Sequence, residues 1–307
     1  MALSVDQLNA VTEKFFVKKM YDNIFDSNPT LQKLMKSGSY KSVSGGTQIN
    51  VPLNYATTSA SGWYSGADTL STTDNDNITA ALYDWKSLYA GVSITEEDEL
   101  KNSGDAAQLD LLKSKLQIAE KTLKDSLGTG IYSDGTDAKS IVGLRDIVAV
   151  DQTVGGISQT TYSWWQGQVD STTTTLTIAA MNAVYQNATI DSEMPKYIPT
   201  TRSIYNSYYA LLQPQQRFMD EETAKGGFSS LMFNGAPVVV DSHVPTSAMF
   251  MLNLDNLALY YHPKRNITFE PFQKPINQQV KVSRFLWMGA LGSSNNRLHG
   301  KLSAVTS

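Results

Sequence analysis

The chain has 307 residues, of which 41% are hydrophobic and 18% charged, with no Cys, three His and a formal net charge of −4. That length can bury real cores. The missing cysteines exclude a disulfide framework, thiolate metal sites and a cysteine nucleophile, and the small net charge alone steers it toward neither nucleic acid nor an anionic membrane. No apolar run is long enough to span a bilayer and the first 25 residues lack a signal-peptide pattern, so the expectation is a soluble globular protein beginning at its own Met.

Charge is unevenly placed. Residues 1–45 carry a slight excess of Lys, whereas residues 46–100 set Lys86 alone against Asp68, Asp74, Asp76, Asp84, Glu96, Glu97, Asp98 and Glu99. Either the acidic stretch is a solvated face, or the two are complementary surfaces of neighbouring subunits.

Ser4 with Gln7 reads as a capping box opening a helix whose apolar stripe is Leu8, Val11, Phe15, Met20 and Ile24. Asn28-Pro29 ends it, and Leu31–Met35 adds a helical turn before Ser37-Gly38. Residues 1–46 thus hold too little apolar material for a core and form an arm that needs something to lie on. Ile49, Val51 and Leu53 then alternate with polar residues as a strand with one buried face, and Pro52 puts it at an edge. A second alternating run, Leu88, Ala90, Val92 and Ile94, is expected to pair with it. The polar stretch between, residues 56–81, is long for a compact domain and reads as a protruding hairpin stabilised outside its own subunit. Its aromatic pair Trp63-Tyr64 is of the type that anchors interfaces.

Asp105 with Gln108 opens the most regular helix, carrying Leu109, Leu112, Leu116, Ala119, Leu123 and Leu127, with Gly128 as its stop. From 105 to 127 it runs about 34 Å, with Glu120 and Lys124 as a supporting pair. Ser133-Asp134-Gly135-Thr136 is a turn, and 141–150 holds short mixed elements. The Thr run 172–175 caps a helix through Ala179, Met181, Val184 and Tyr185, and a further helix from Arg202 to Leu212 stops at Pro214. Strands follow at Pro237–Asp241, Met249–Leu254, Leu257–Tyr261 and within 267–291. Helices and strands without βαβ regularity make the class α+β.

Catalytic patterns are missing: no phosphate loop, no nucleophile elbow and no zinc-type His spacing occur. His243, His262 and His299 read as turn or surface residues. Asp74-Asn75-Asp76-Asn77 lacks the Gly and Glu of a calcium loop, and Glu96-Glu97-Asp98-Glu99 reads as a solvated cluster ahead of a helix. The expectation is a protein that is not an enzyme, with no cofactor, metal or catalytic residues.

The ordered parts, a basic helical arm, a long hairpin with a polar tip, a long helix, a mixed lobe and a returning strand, resemble the major capsid protein family of tailed bacteriophages, the Hong Kong 97-type fold. Gly46–Leu53 looks like the ascending strand of that family's extended loop, Trp63–Asp68 like its tip, and Tyr83–Ile94 like its descending strand. Gly155-Gly156-Ile157, Tyr162-Ser163-Trp164-Trp165 and Phe233–Asp241 are similar to stretches in one branch of these coat proteins.

The resemblance implies an N-terminal arm (1–46), an extended loop (47–95), a peripheral domain (96–165) with a spine helix (105–127), an axial domain (166–266), and return strands of the peripheral domain (267–307). It implies assembly of many copies as pentamers and hexamers into an icosahedral head enclosing double-stranded DNA. Partners would be the chain itself, the packaged DNA without sequence preference, a portal, and separate scaffolding or decoration proteins, but no membrane. The protein would reside in the virion after assembly in the host bacterial cytoplasm.

Inter-subunit contacts would come from Phe15, Phe16, Trp63, Tyr64, Asp68 and Leu70, and weak DNA contacts from Lys113, Lys115, Lys121 and Lys124. Two departures bear on the family pattern. Residues 54–85 contain no Lys, which predicts no Lys–Asn crosslink from this loop, and too few residues precede the hairpin for a fused scaffold. The nearest rival is an encapsulin-type compartment of the same fold. A carbohydrate-active enzyme or glycan-binding module is the rival from another class, since Trp63–Asp68 locally imitates aromatics beside a carboxylate.

Overall fold

The computed structural model describes residues 28–73, 76–101, 105–216, 231–276 and 278–305. The helix expected between Ser4 and Ile24 lies outside them. The turn expected at 31–35 is a two-turn helix, α1 (Pro29–Lys36), with Pro29 in its first turn and the Asn28 side chain accepting the Leu31 N–H at 3.1 Å. Its Leu31 and Leu34 are fully buried in the main core of the same subunit. β1 (Tyr40–Ser42) then runs parallel to a strand more than two hundred residues later.

The hairpin strands are β2 (Gln48–Asn54) and β3 (Ile78–Asp84), antiparallel in unbroken register from Gln48↔Asp84 to Asn54↔Ile78. This corrects the expected pairing. The alternating run at 88–94 lies on β4 (Lys86–Thr95), which pairs with the long strand β14 (Val280–Ser293), not with β2. The partner of β2 was hidden because β3 buries Ala81 and Tyr83 and exposes Ile78 and Leu82, so its apolar side chains do not mark one face. Pro52 does sit at an edge, because β2 pairs with β3 alone.

After α2 (Glu96–Lys101), the long helix α3 spans Asp105–Ile131. Leu116, Ala119 and Leu123 pack on Ala90, Val92 and Ile94 of β4 and on Phe272 and Phe285, while Leu127 and Ile131 enter the main core. Each fully buried Leu contributes about 2 kcal/mol. The helix does not stop at Gly128. A Cβ at 128 would stand 2.4 Å from Asn28 Nδ2 and 2.7 Å from the His243 ring, so the glycine serves a close approach inside the helix.

Short elements follow: α4 (Leu144–Ile147), the small ladder β5 (Thr153-Val154) with β6 (Ile157-Ser158), and β7 (Gln168–Asp170). Helix α5 (Ile178–Asn187) is capped by Thr177, whose side chain accepts the Ala180 N–H at 3.1 Å. The Thr run expected to cap it instead binds Asp170, whose carboxylate accepts from the Thr172 and Thr173 hydroxyls at 2.9 and 2.6 Å. β8 (Ile198–Thr200) leads to α6 (Arg202–Gln216), which continues through Pro214.

β9 (Met232-Phe233) and β10 (Ala236–Val240) enclose Asn234-Gly235, both at positive φ (47° and 82°), the two-residue turn that Asn-Gly favours. β11 (Met249–Met251), β12 (Leu257–Tyr261), β13 (Thr268–Gln273), β14 and β15 (Gly300–Leu302) complete the chain.

Two sheets result. In one, β14 has β4 along one edge, with β13 and then β12 along the other, and β1 outside β12. The other runs β7-β15-β11-β8-β10-β9 and shares a core with α5 and α6 through Met181, Val184, Ile204, Tyr208, Val238 and Leu302.

A buried polar node joins distant parts of the chain. The Thr30 hydroxyl donates to Asp241 Oδ2 at 2.6 Å and lies 2.8 Å from the Tyr132 hydroxyl, which reaches the same carboxylate at 3.3 Å. The His243 N–H donates to Asp241 Oδ1 at 3.0 Å, and the ring nitrogens approach Asp241 and Asp125 at 3.1 and 3.2 Å. His299, expected in a turn or at the surface, is fully buried. Its Nδ1 accepts the Asn253 N–H at 3.2 Å and its Nε2 faces Ser293 Oγ at 3.3 Å. Burial lowers its pKa to about 4.

Candidate assembly surfaces

The base of the hairpin is clamped within its own subunit. Ile49, Val51, Leu53, Ala81 and Tyr83 belong to the main core. The Tyr83 hydroxyl donates to Ser293 O and accepts the Ser293 N–H, both at 3.0 Å. Leu82 N–H donates to Gly155 O at 2.9 Å. Gly155 is at φ +61°, and a Cβ there would meet Ala81 Cβ at 2.7 Å, so glycine lets the β5–β6 turn seat against β3. Tyr55 stacks on Trp164, centroids 5.3 Å apart, and Trp165 donates from its indole to Val154 O at 3.0 Å. The Gly155–Ile157 and Tyr162–Trp165 stretches thus form the socket of the hairpin.

Beyond Tyr55 this support ends. Trp63 is 105% exposed, Tyr64 68% and Leu70 59%, which suits side chains awaiting a partner surface. Asp68 is exposed too, but its carboxylate accepts the Ser65 N–H at 2.8 Å while its own N–H donates to Ser65 O, so it first shapes its own turn around Gly66. Phe15 and Phe16 lie outside the described residues. Further exposed apolar side chains include Ile78 and Leu82 on β3, Tyr89 on β4 and Ile118 on α3. For Leu82 a signal was available, since it alternates out of phase with Ala81 and Tyr83.

The lysines proposed to face DNA do not form one free row. Lys115 donates to Ser93 O at 3.0 Å and pairs with Asp98 at 3.4 Å, so it staples α3 to β4 and α2 within the subunit. Lys121 is exposed. The side chains of Lys113 and Lys124 lie outside the described ones. The acidic run 96–99 is also partly neutralised, with Glu96 paired to Lys274 and Asp98 to Lys115.

Among the described residues, no group of three or more His, Cys, Asp or Glu side chains is placed to hold a metal ion, and no helix is long and apolar enough to cross a membrane. A cavity of about 460 Å³ opens at the foot of the hairpin, lined by Asp84, Lys86, Asp134, Asp137, Asp146 and Asp151 among others.

No family model and no curated protein matches the chain in sequence. Solved structures do match. The capsid asymmetric unit of cyanophage A-1(L) superposes with a TM-score of 0.65 at 18% identity, covering 92% of this chain and 94% of that one. The capsid of a native GTA particle gives 0.61 at 12% identity, covering 89% and 90%. The SrpI encapsulin of Synechococcus elongatus PCC 7942 gives 0.59 at 10% identity, covering 89% and 87%. The clamped hairpin, long helix and two sheets, matched nearly end to end, show that this chain has the Hong Kong 97-type fold of tailed-phage capsid proteins.

Proposed function

We propose that the chain is the major capsid protein of a tailed bacteriophage, a structural subunit that assembles as pentamers and hexamers into an icosahedral head around double-stranded DNA. The observation that carries this reading is the near end-to-end match to a cyanophage capsid subunit. The hairpin supports it: a base locked by core packing and backbone hydrogen bonds holds an exposed Trp63-Tyr64 tip away from its own core, where a neighbouring copy can cover it. Large interfaces between copies supply the stability that such a tip lacks alone. A portal, separate scaffolding or decoration proteins, sequence-independent contact with DNA, assembly in the host cytoplasm and residence in the virion belong to the same proposal.

An encapsulin-type compartment is the second reading, favoured by the match to SrpI. Light scattering behind size exclusion on the chain expressed alone, with micrographs of the void peak, tests the shell. Closed shells or capsomer-sized rings are the expected result, and a strict monomer up to the solubility limit overturns it. Nuclease-protected DNA in particles from the native host supports the phage head, whereas a stoichiometric enzyme cargo with no DNA supports the compartment.

A further inference from the structure

The acidic cavity contains one carboxylate with no hydrogen-bond or ion-pair partner among the described residues. Asp84 accepts from Gln48 Nε2 at 2.8 Å, Asp137 from the Lys139 N–H at 2.9 Å, and Asp151 from Gln152 Nε2 at 3.2 Å. Asp134 pairs with Arg145 at 2.9 Å, and the Lys86 ammonium donates to Ala138 O at 2.7 Å. Asp146, on α4, is only 8% exposed, yet among the described residues its carboxylate has neither a hydrogen bond nor an ion pair. Gly135, at φ +71°, leaves it room, since a Cβ there would stand 2.7 Å from Asp146 Oδ2. Burial first, and then the Asp134 charge, raise its pKa to about 6 over the opposing pull of the Arg145 and Lys301 charges, neither of which comes within ion-pair distance. A buried, unpaired carboxylate is costly, and a cation brought to it offsets that cost.

We propose that this cavity receives the guanidinium or ammonium group of a second copy of the chain, with Asp146 as its counter-ion. The inference rests on the shell reading, which brings copies into contact. Charge complementarity carries it. Around the cavity the aspartates outnumber the cations: Lys86 and Arg145 already have partners, and Lys301, which acts on Asp146 and Asp151 from beyond ion-pair distance, donates to Arg145 O at 3.4 Å. Elsewhere the chain presents exposed cations, Arg202, Lys264, Arg265 and Arg297, with no ion pair among the described residues. The aspartates do not converge as metal ligands do. A cavity of about 460 Å³ instead has room for an extended side chain whose head reaches Asp146 while its flanks meet the other carboxylates.

The test is an electron cryomicroscopy structure of shells of the unmodified chain, with assembly titrations of Asp146→Asn. A nitrogen of a neighbour's Arg or Lys is expected at about 3 Å from the Asp146 carboxylate. Asp146→Asn is expected to raise at least tenfold the subunit concentration at which shells form. The unassembled variant, relieved of an unpaired carboxylate, is expected to melt no lower than its parent. Shells whose cavity is empty or holds a free ion overturn this inference and leave the shell reading standing, as does an Asp146→Asn chain that assembles at the parental concentration. If that variant does not fold, the shell structure decides alone. A parent chain that forms no shells overturns both.

Discussion

Replacing Gly128 by Ala reverses the usual rule for a helix interior. In an exposed helix the change stabilises by about 1 kcal/mol, because alanine loses less backbone freedom. Here the added methyl meets Asn28 Nδ2 at 2.4 Å and the Cε1 and Nε2 atoms of His243 at 2.7 Å. Neither neighbour gives way freely. Asn28 is buried and its carboxamide oxygen caps α1, so moving it costs about 1 kcal/mol. His243 is held between Asp241 and Asp125, and overpacking such a contact costs about 1–3 kcal/mol. The net expectation is a loss of about 1–3 kcal/mol, read as a lower urea midpoint of the unassembled chain. Adding Asn28→Gly removes the shorter of these contacts while keeping a tolerable cap, and leaves the His243 contact in place, so it should recover part of the loss. A more stable Gly128→Ala chain, or a double variant no better than the single, refutes the reasoning.

Three further expectations concern other features. Thr30→Val keeps shape but deletes the 2.6 Å donor to the buried Asp241 carboxylate, and should cost about 2–3 kcal/mol in urea unfolding; a result within about 0.5 kcal/mol of Thr30→Ser would contradict it. His299, held at about 4 by burial, contributes stability that is complete above pH 6.5. That stability, about 3 kcal/mol, is lost as pH falls from 6.5 toward 4, so His299→Gln should flatten this part of the pH profile of unfolding. Trp63→Ala with Tyr64→Ala removes side chains that their own subunit leaves exposed. The unassembled chain should keep its midpoint within about 0.5 kcal/mol while shell yield falls at least tenfold, as measured by sedimentation; unchanged yield would remove the tip from the interface.

Much of the local structure was legible because a short-range period reports directly on burial. Ile49, Val51 and Leu53 alternate, and Leu116, Leu123 and Leu127 follow the helical repeat. What failed depends on partners distant in sequence. The run at 88–94 was visible as a strand, but its partner lies beyond residue 280. Gly128 resembles a helix stop until residues 28 and 243 are brought against it. The exposed Trp63-Tyr64 pair was readable because aromatics in a polar stretch stand out. Lys115 was not, since charge spacing on a helix does not reveal that Ser93 O and Asp98 reach it. The acidic cavity was equally hidden, because its aspartates come from several separate turns and become one feature only after folding.

The last strands of the chain stand inside both sheets: β14 joins β4 to β12 and β13, and β15 lies between β7 and β11. Neither sheet can close before these residues leave the ribosome, because strands built earlier lack the ladders that complete them. Folding is therefore dominated by contacts of long sequence separation and is slow to finish. A chain interrupted near residue 279 exposes unpaired edges in both sheets and is prone to aggregate. Arrival of β14 and β15 thus acts as a checkpoint: only chains that include these strands acquire the paired sheets that hold the hairpin in place.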